Sequence, residues 1–184
     1  MQKLTTKYGE FKVFVYPEKN LEHFVLVYGD LDTSQPVLTR IHSECLTGDV
    51  FGSLRCDCGP QLEMALELVS EKSGIIVYLR QEGRGIGLAN KIKAYDLQDQ
   101  GYDTVDANLK LGFEADARNY LVAINILKQL GVSKIDLMTN NPHKLETLVN
   151  NGIEVCNRIP LIVPVQESFK AYMETKRFKL GHII

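Results

Sequence analysis

The sequence predicts an α/β fold: a layered mixed sheet with flanking helices and an N-terminal β-rich section. Three observations carry this. The stretch up to Ile41 is patterned as short strands, the remainder alternates helix-like with strand-like segments, and 184 residues with 45% apolar content suit one domain, read over 1–184, with a real core.

Glu10 to Tyr16, His23 to Tyr28 and Val37 to Ile41 are rich in β-branched and aromatic residues and are separated by Gly, Pro, Asp and Asn. Gly59-Pro60 opens a helix, with Leu62, Ala65, Leu66 and Val69 forming one apolar stripe. Ile75 to Leu79 is apolar on both faces, as in the middle of a sheet. Leu88, Ile92 and Tyr95 begin a second helix face, and Leu121, Ile124, Leu127 and Leu130 a third, stopped by Gly131. Lys134 to Thr139 is a strand, Asn141-Pro142 opens a helix through Leu145, Leu148 and Val149, Ile153 to Cys156 is a strand, and Ser168 to Lys179 a last helix. Asp103 to Asn108 and Glu114 to Arg118 are read as lying between helices.

The net charge of −2, from 21 basic and 23 acidic residues, gives no global field for nucleic acid or an anionic membrane. An anionic ligand therefore needs a local cluster. The N-terminus lacks the apolar core of a signal peptide, and the longest apolar run, Ile75 to Leu79, is far too short to span a bilayer. A cytoplasmic location is expected. That compartment disfavours disulfides, so clustered cysteines point to metal.

Cys45, Cys56 and Cys58 form such a cluster. Three thiolates hold a zinc ion and leave its fourth corner for water or substrate, as catalytic sites do. The Cys56-Asp57-Cys58 run is read as an exposed turn before a helix start, where amide dipoles favour thiolate. His42 can complete a closed site, but it alternates with Cys45 along the strand. Cys156 is read as a small apolar strand residue. His42-Ser43-Glu44 has the form of the His-x-Glu of zinc nucleobase deaminases, but their Pro-Cys-x-x-Cys is missing.

Arg80 to Leu88 carries three alternating glycines, but their G-x-G-x-G spacing is not a dinucleotide fingerprint. Glu82 offers two coplanar acceptors that match the N1–H and N2–H₂ edge of guanine, and Arg84 a donor fork for phosphate. A solvated ion pair fits the two residues equally well. Thr139-Asn140-Asn141-Pro142-His143-Lys144 joins a strand to a helix start, either an anion site or an ordinary Asn cap. Asp116 and Arg118 read as general base and anion binder, or as helix N-terminal charges.

The chain resembles the GTP cyclohydrolase II family of riboflavin biosynthesis. The resemblance rests on Arg-Ile-His-Ser-Glu-Cys-Leu-Thr-Gly-Asp from Arg40, Ser-Leu-Arg-Cys-Asp-Cys-Gly from Ser53, Arg-Gln-Glu-Gly-Arg-Gly-Ile-Gly-Leu from Arg80, Tyr-Asp-Thr-Val-Asp-Ala-Asn from Tyr102, Leu-Gly-Phe from Leu111 and Thr-Asn-Asn-Pro from Thr139. It runs from about Val37 to Gly181-His182, with looser agreement in the N-terminal strands. Some relatives carry a fused dihydroxybutanone phosphate synthase domain, for which this length leaves no room.

The resemblance implies conversion of GTP to 2,5-diamino-6-(5-phosphoribosylamino)pyrimidin-4(3H)-one, formate and pyrophosphate. It implies zinc on Cys45, Cys56 and Cys58, and Mg²⁺ with the triphosphate. It assigns GTP binding to Arg40, Ile41, His42, Ser43, Glu44, Gln61, Glu82, Gly83, Arg84, Thr104, Thr139 and Lys144. It makes Asp116 the proton acceptor, Arg118 the nucleophile toward the α-phosphorus and Tyr95 a participant in imidazole ring opening. Stabilising the departing pyrophosphate is a simpler role for an always-charged guanidinium. A homodimer is also implied. Two alternatives remain: a non-catalytic guanine-nucleotide-binding protein stapled by zinc, which the set Tyr95, Asp116 and Arg118 disfavours, and a nucleobase deaminase.

Overall fold

A computed structural model describes residues 1–164 and 169–183. One seven-stranded mixed sheet organises the chain, in the order β1-β2-β3-β5-β4-β6-β7. β1 (Gln2–Thr6), β2 (Gly9–Glu18) and β3 (Leu21–Tyr28) form an antiparallel meander that continues antiparallel onto β5 (Gly74–Leu79). From there β5, β4 (Val37–Ser43), β6 (Lys134–Met138) and β7 (Glu154–Ile159) run parallel. The α/β expectation is met, including the β-rich N-terminal section.

Seven α-helices are described: α1 (Leu46–Asp49), α2 (Cys58–Lys72), α3 (Leu88–Asp99), α4 (Thr104–Lys110), α5 (Leu121–Gln129), α6 (Pro142–Asn150) and α7 (Lys170–Phe178). None of them is long and apolar enough to cross a membrane. The central strands are apolar on both faces because both faces are covered. Ile75, Val77 and Leu79 pack in one core with Val122, Ile126, Leu127 and Leu148, while Ile76 and Leu38 pack in another with Ala65 and Val69 of α2.

Chain order places the site. After β4 the chain crosses to β5 on one side, and later passes to β6 on the other side of β4. The C-terminal ends of β4, β5 and β6 thus open onto a switch point, where open α/β sheets bind their ligands.

Several expectations need correction. β1 is a mostly exposed edge strand whose residues carry no apolar pattern. Residues 104–110 form a helix, capped by the Asp103 carboxylate, which accepts from the amides of Val105 and Asp106. Residues 114–118 lie in a loop, so Asp116 is not a helix-terminal charge. Cys156 is exposed, because β7 is a sheet edge. In α3 the expected core face holds only at Tyr95, which lines the cleft. Leu88 and Ile92 are exposed, and Lys91 and Ala94 are buried. The last helix begins at Lys170, and Ser168 lies outside the described residues.

Candidate active site

The loops after β4, β5 and β6 enclose a cleft of about 1070 Å³, open mouth included, near the upper end of small-molecule sites. Of the residues expected at the site, all but Ile41 and Asp116 line this cleft. Ile41 contributes its carbonyl, which accepts from Lys144 Nζ at 2.7 Å, and Asp116 stands behind Arg118.

The three cysteines converge at one end. β4 ends at Ser43, so Cys45 sits beyond the strand at the start of α1, while Cys58 begins α2. Their sulfurs lie within 4.8 Å of one another, with Cys45 and Cys56 at 3.7 Å. Two thiolates about 2.3 Å from a tetrahedral zinc are separated by about 3.8 Å, so the trio fits that ion. Gly48 and Gly59 permit the convergence. A Cβ on Gly59 would stand 2.4 Å from the Gly48 carbonyl, and one on Gly48 would stand 2.9 Å from Cys56 Sγ. Only glycines let α1 and α2 cross this closely.

His42 does not join the sulfurs. It is buried and donates from Nε2 to Asp49 at 3.0 Å, and Asp49 also accepts from the Cys45 amide and the Tyr78 hydroxyl. Burial holds the imidazole below its ordinary pKa, outweighing the pull of Asp49. The Cys-Asp-Cys turn is not exposed either: Asp57 has 0% exposure. Asp57 accepts from Gln61 Nε2 and pairs with Lys176 of α7, while Gln61 Oε1 accepts from Arg40 at 2.8 Å.

The three thiols act on one another's protons, and the charge is favoured on Cys45. Hydrogen bonds from Cys56, Cys58 and then Lys91 hold Cys45 as a thiolate, against the effect of its burial. Its charge and hydrogen bonding push Cys56 up to about 11 and Cys58 well above a normal thiol. A divalent ion binding here would therefore displace protons.

Lys91 was not anticipated. Its Nζ donates to Cys45 Sγ at 3.1 Å and to Glu82 Oε1 at 2.8 Å. Burial opposes its charge, but Glu82 and Cys45 more than compensate and raise its pKa. A lysine at a core-facing position of α3 was the available signal. Glu82 also accepts from the amides of Leu46 at 2.6 Å and Gly83 at 2.7 Å. Three of its roughly four lone-pair sites are thus taken by protein. Tyr95 meets Thr47 Oγ1 at 3.0 Å and lies under the Arg55 guanidinium, and burial raises its pKa.

The other end is cationic. Arg40, Arg84, Arg118, Lys144 and Lys176 line it, while Arg55 and Lys91 stand at the cysteine end beside Tyr95 and Cys45, and Glu44 and Glu82 are the carboxylates of the lining. Burial pulls Arg40 down to about 10, and burial with the charges of Arg40 and Arg118 depresses Lys144 strongly. Such depressed cations favour an anionic partner. Arg84, held at φ 60°, donates to Thr104 at 3.0 Å. Arg118 is bound by Asp116 through Nε at 2.7 Å and through Nη2. Burial tends to raise the Asp116 carboxyl, but Arg118 outweighs it and keeps it ionised. The Thr139–Lys144 loop contains an ordinary cap, with Asn141 accepting from the His143 amide, and also presents Thr139 and Lys144 to the cleft.

A family model described as GTP cyclohydrolase II matches residues 1–160. The chain belongs to the GTP cyclohydrolase II family. The match takes in the N-terminal strands. The GTP cyclohydrolase-2 of Actinobacillus succinogenes is 54% identical, covering 98% of this chain and 85% of that protein. The riboflavin biosynthesis protein RibBA of Bacillus cereus (strain B4264) is 53% identical, covering 98% of this chain and 46% of that protein. The chain thus spans about half the length of RibBA-type curated relatives. Among solved structures, RibBX from A. baumannii, a two-domain 3,4-dihydroxy-2-butanone 4-phosphate synthase, aligns with a TM-score of 0.42 at 18% identity over 89% of this chain and 39% of that one. That likeness carries no argument.

Proposed function

We propose that the chain hydrolyses GTP to 2,5-diamino-6-(5-phosphoribosylamino)pyrimidin-4(3H)-one, formate and pyrophosphate, the first step of riboflavin biosynthesis. The observation that carries this reading is the meeting, in one cleft, of a three-thiol site with one open corner and a buried cluster of cations. An amidine carbon and a triphosphate in one substrate require both. Zinc on Cys45, Cys56 and Cys58 would supply an activated water, with a pKa lowered toward about 7, and Mg²⁺ would accompany the phosphates.

The protein's own groups then have distinct tasks. Tyr95 keeps its proton and is placed to donate it as the imidazole ring opens. Glu44, with the one acceptor site that Leu46, Gly83 and Lys91 leave on Glu82, would receive the guanine edge. Arg118, oriented by Asp116, joins Arg84 and Lys144 against the charge that builds on the departing pyrophosphate. With its carboxylate committed to Arg118, Asp116 serves best as the group that aims the guanidinium. We read residues 1–184 as one catalytic domain that works in the cytoplasm as a homodimer; the outward apolar residues Leu88 and Ile92 support the dimer.

The test is incubation with GTP and Mg²⁺ with formate and pyrophosphate assayed together. Equal amounts of both are expected. Neither product would sink the reading, and ammonia in place of formate would favour a deaminase.

A further inference from the structure

His182 lies close to the end of the chain, beyond the residues matched by the family model, yet it lines the cleft. Five contacts hold it there. Lys176 pairs with Asp57 at the cysteine turn, and Lys179 pairs with Asp103 and Asp106 at the start of α4, so the C-terminal end of α7 is tied both to the cysteine turn and to α4. The His182 amide donates to the Lys176 carbonyl at 2.9 Å, and the Ile183 amide donates to the Asn140 carbonyl at 2.9 Å. The backbone is therefore fixed on both sides of the imidazole.

The imidazole itself is unsatisfied. Its Nδ1 is buried with no hydrogen-bond partner among the described residues. Arg40 Nε, Ser43 Oγ, Arg84 Nη1 and Asn108 Nδ2 are orphaned in the same way, and each belongs to a residue that lines this cleft. Buried orphans are rare in folded proteins, and their gathering in one cavity marks groups waiting for a ligand. Around His182 stand Lys176, Arg118, Lys144 and Arg84, cations from four different segments. Burial first, and then these charges, drive its pKa to about 3, so the ring is neutral at working pH. A neutral imidazole among four cations has one N–H to give and no charge to add to the repulsion.

We propose that His182 binds the nucleotide, donating its ring N–H to a phosphate oxygen of GTP and closing the anion end of the cleft from the C-terminal side. This rests on the GTP reading above. It adds a contact from the C-terminal turn to those made by the strand-end loops.

Calorimetric titration with inorganic pyrophosphate and, separately, with guanosine tests it on the wild type, H182A and H182Q. A hydrogen bond to a charged acceptor leads us to expect pyrophosphate affinity about 10- to 100-fold weaker in H182A. H182Q, which keeps an N–H donor, should recover most of that loss, and guanosine should bind all three alike. In turnover, H182A should raise KM for GTP by more than it lowers kcat. Unchanged pyrophosphate affinity in H182A would overturn the proposal, as would an equal loss for guanosine, which would mark a merely structural turn. Wild-type protein that bound neither probe would overturn the GTP reading and this inference together.

Discussion

The two ends of the cleft are built on opposite principles. At the cysteine end the principal polar groups are answered by protein: Glu82 by Leu46, Gly83 and Lys91, Asp49 by His42, Cys45 and Tyr78, and Tyr95 by Thr47, with Ser43 Oγ the exception among the described residues. At the cationic end Arg40, Arg84, Asn108 and His182 keep buried atoms without partners among the described residues. A site for a resident ion must be rigid before the substrate arrives, so its surroundings are complete. A site for a passing anion is completed by that anion. The difference is the one expected between a site for a resident ion and a pocket for a substrate.

The largest effect should come from the cationic end. R118A removes the guanidinium that Asp116 aims, and should slow pyrophosphate release by about 10²–10³-fold, the scale for losing a preorganised charge stabiliser. Pyrophosphate kinetics check this, and a change of less than tenfold would remove Arg118 from the reaction.

A smaller effect is expected at the cysteine end. K91M deletes the ammonium 3.1 Å from Cys45 Sγ, and should weaken zinc binding by about 10- to 100-fold, as loss of a partner to a metal ligand typically does. Competition with a coloured chelator measures it. K91R, which keeps the charge, should fall between K91M and the wild type. Equal zinc affinity in all three would show that the contact is only packing.

Smallest is a pH effect on stability. The pKa of His182 falls from 6.5 to about 3 on folding, and burial lowers His23 and His42 as well. The unfolded chain takes up these protons near pH 6.5 and the folded chain does not. Stability is therefore complete above that pH and is lost as pH falls, with a limiting slope of about 1.4 kcal/mol per pH unit for each histidine. Urea unfolding at pH 7.5 and pH 5.5 should show the drop, and H182Q should flatten it. A pH-independent midpoint would contradict the burial of these rings.

Much of this was legible in the sequence, and the failures share a cause. β5 could be read because a strand covered on both faces is apolar throughout. The cysteine trio could be read because thiols in that spacing have few other uses. The face of α3 is hard to read because Leu88 and Ile92 are exposed while Lys91 faces the sulfurs, a departure that function imposes on the usual amphipathic rule. Asp57 was taken for an exposed residue because its partner, Lys176, comes from the far end of the chain. The same distance hid His182. Side chains that meet only through the sheet's topology leave no local periodicity to find.

The most direct test of two ends with separate tasks is C56S, assayed for formate and pyrophosphate on one time course. The account predicts that formate release is abolished while some pyrophosphate release survives. Formate produced at the wild-type rate would contradict it.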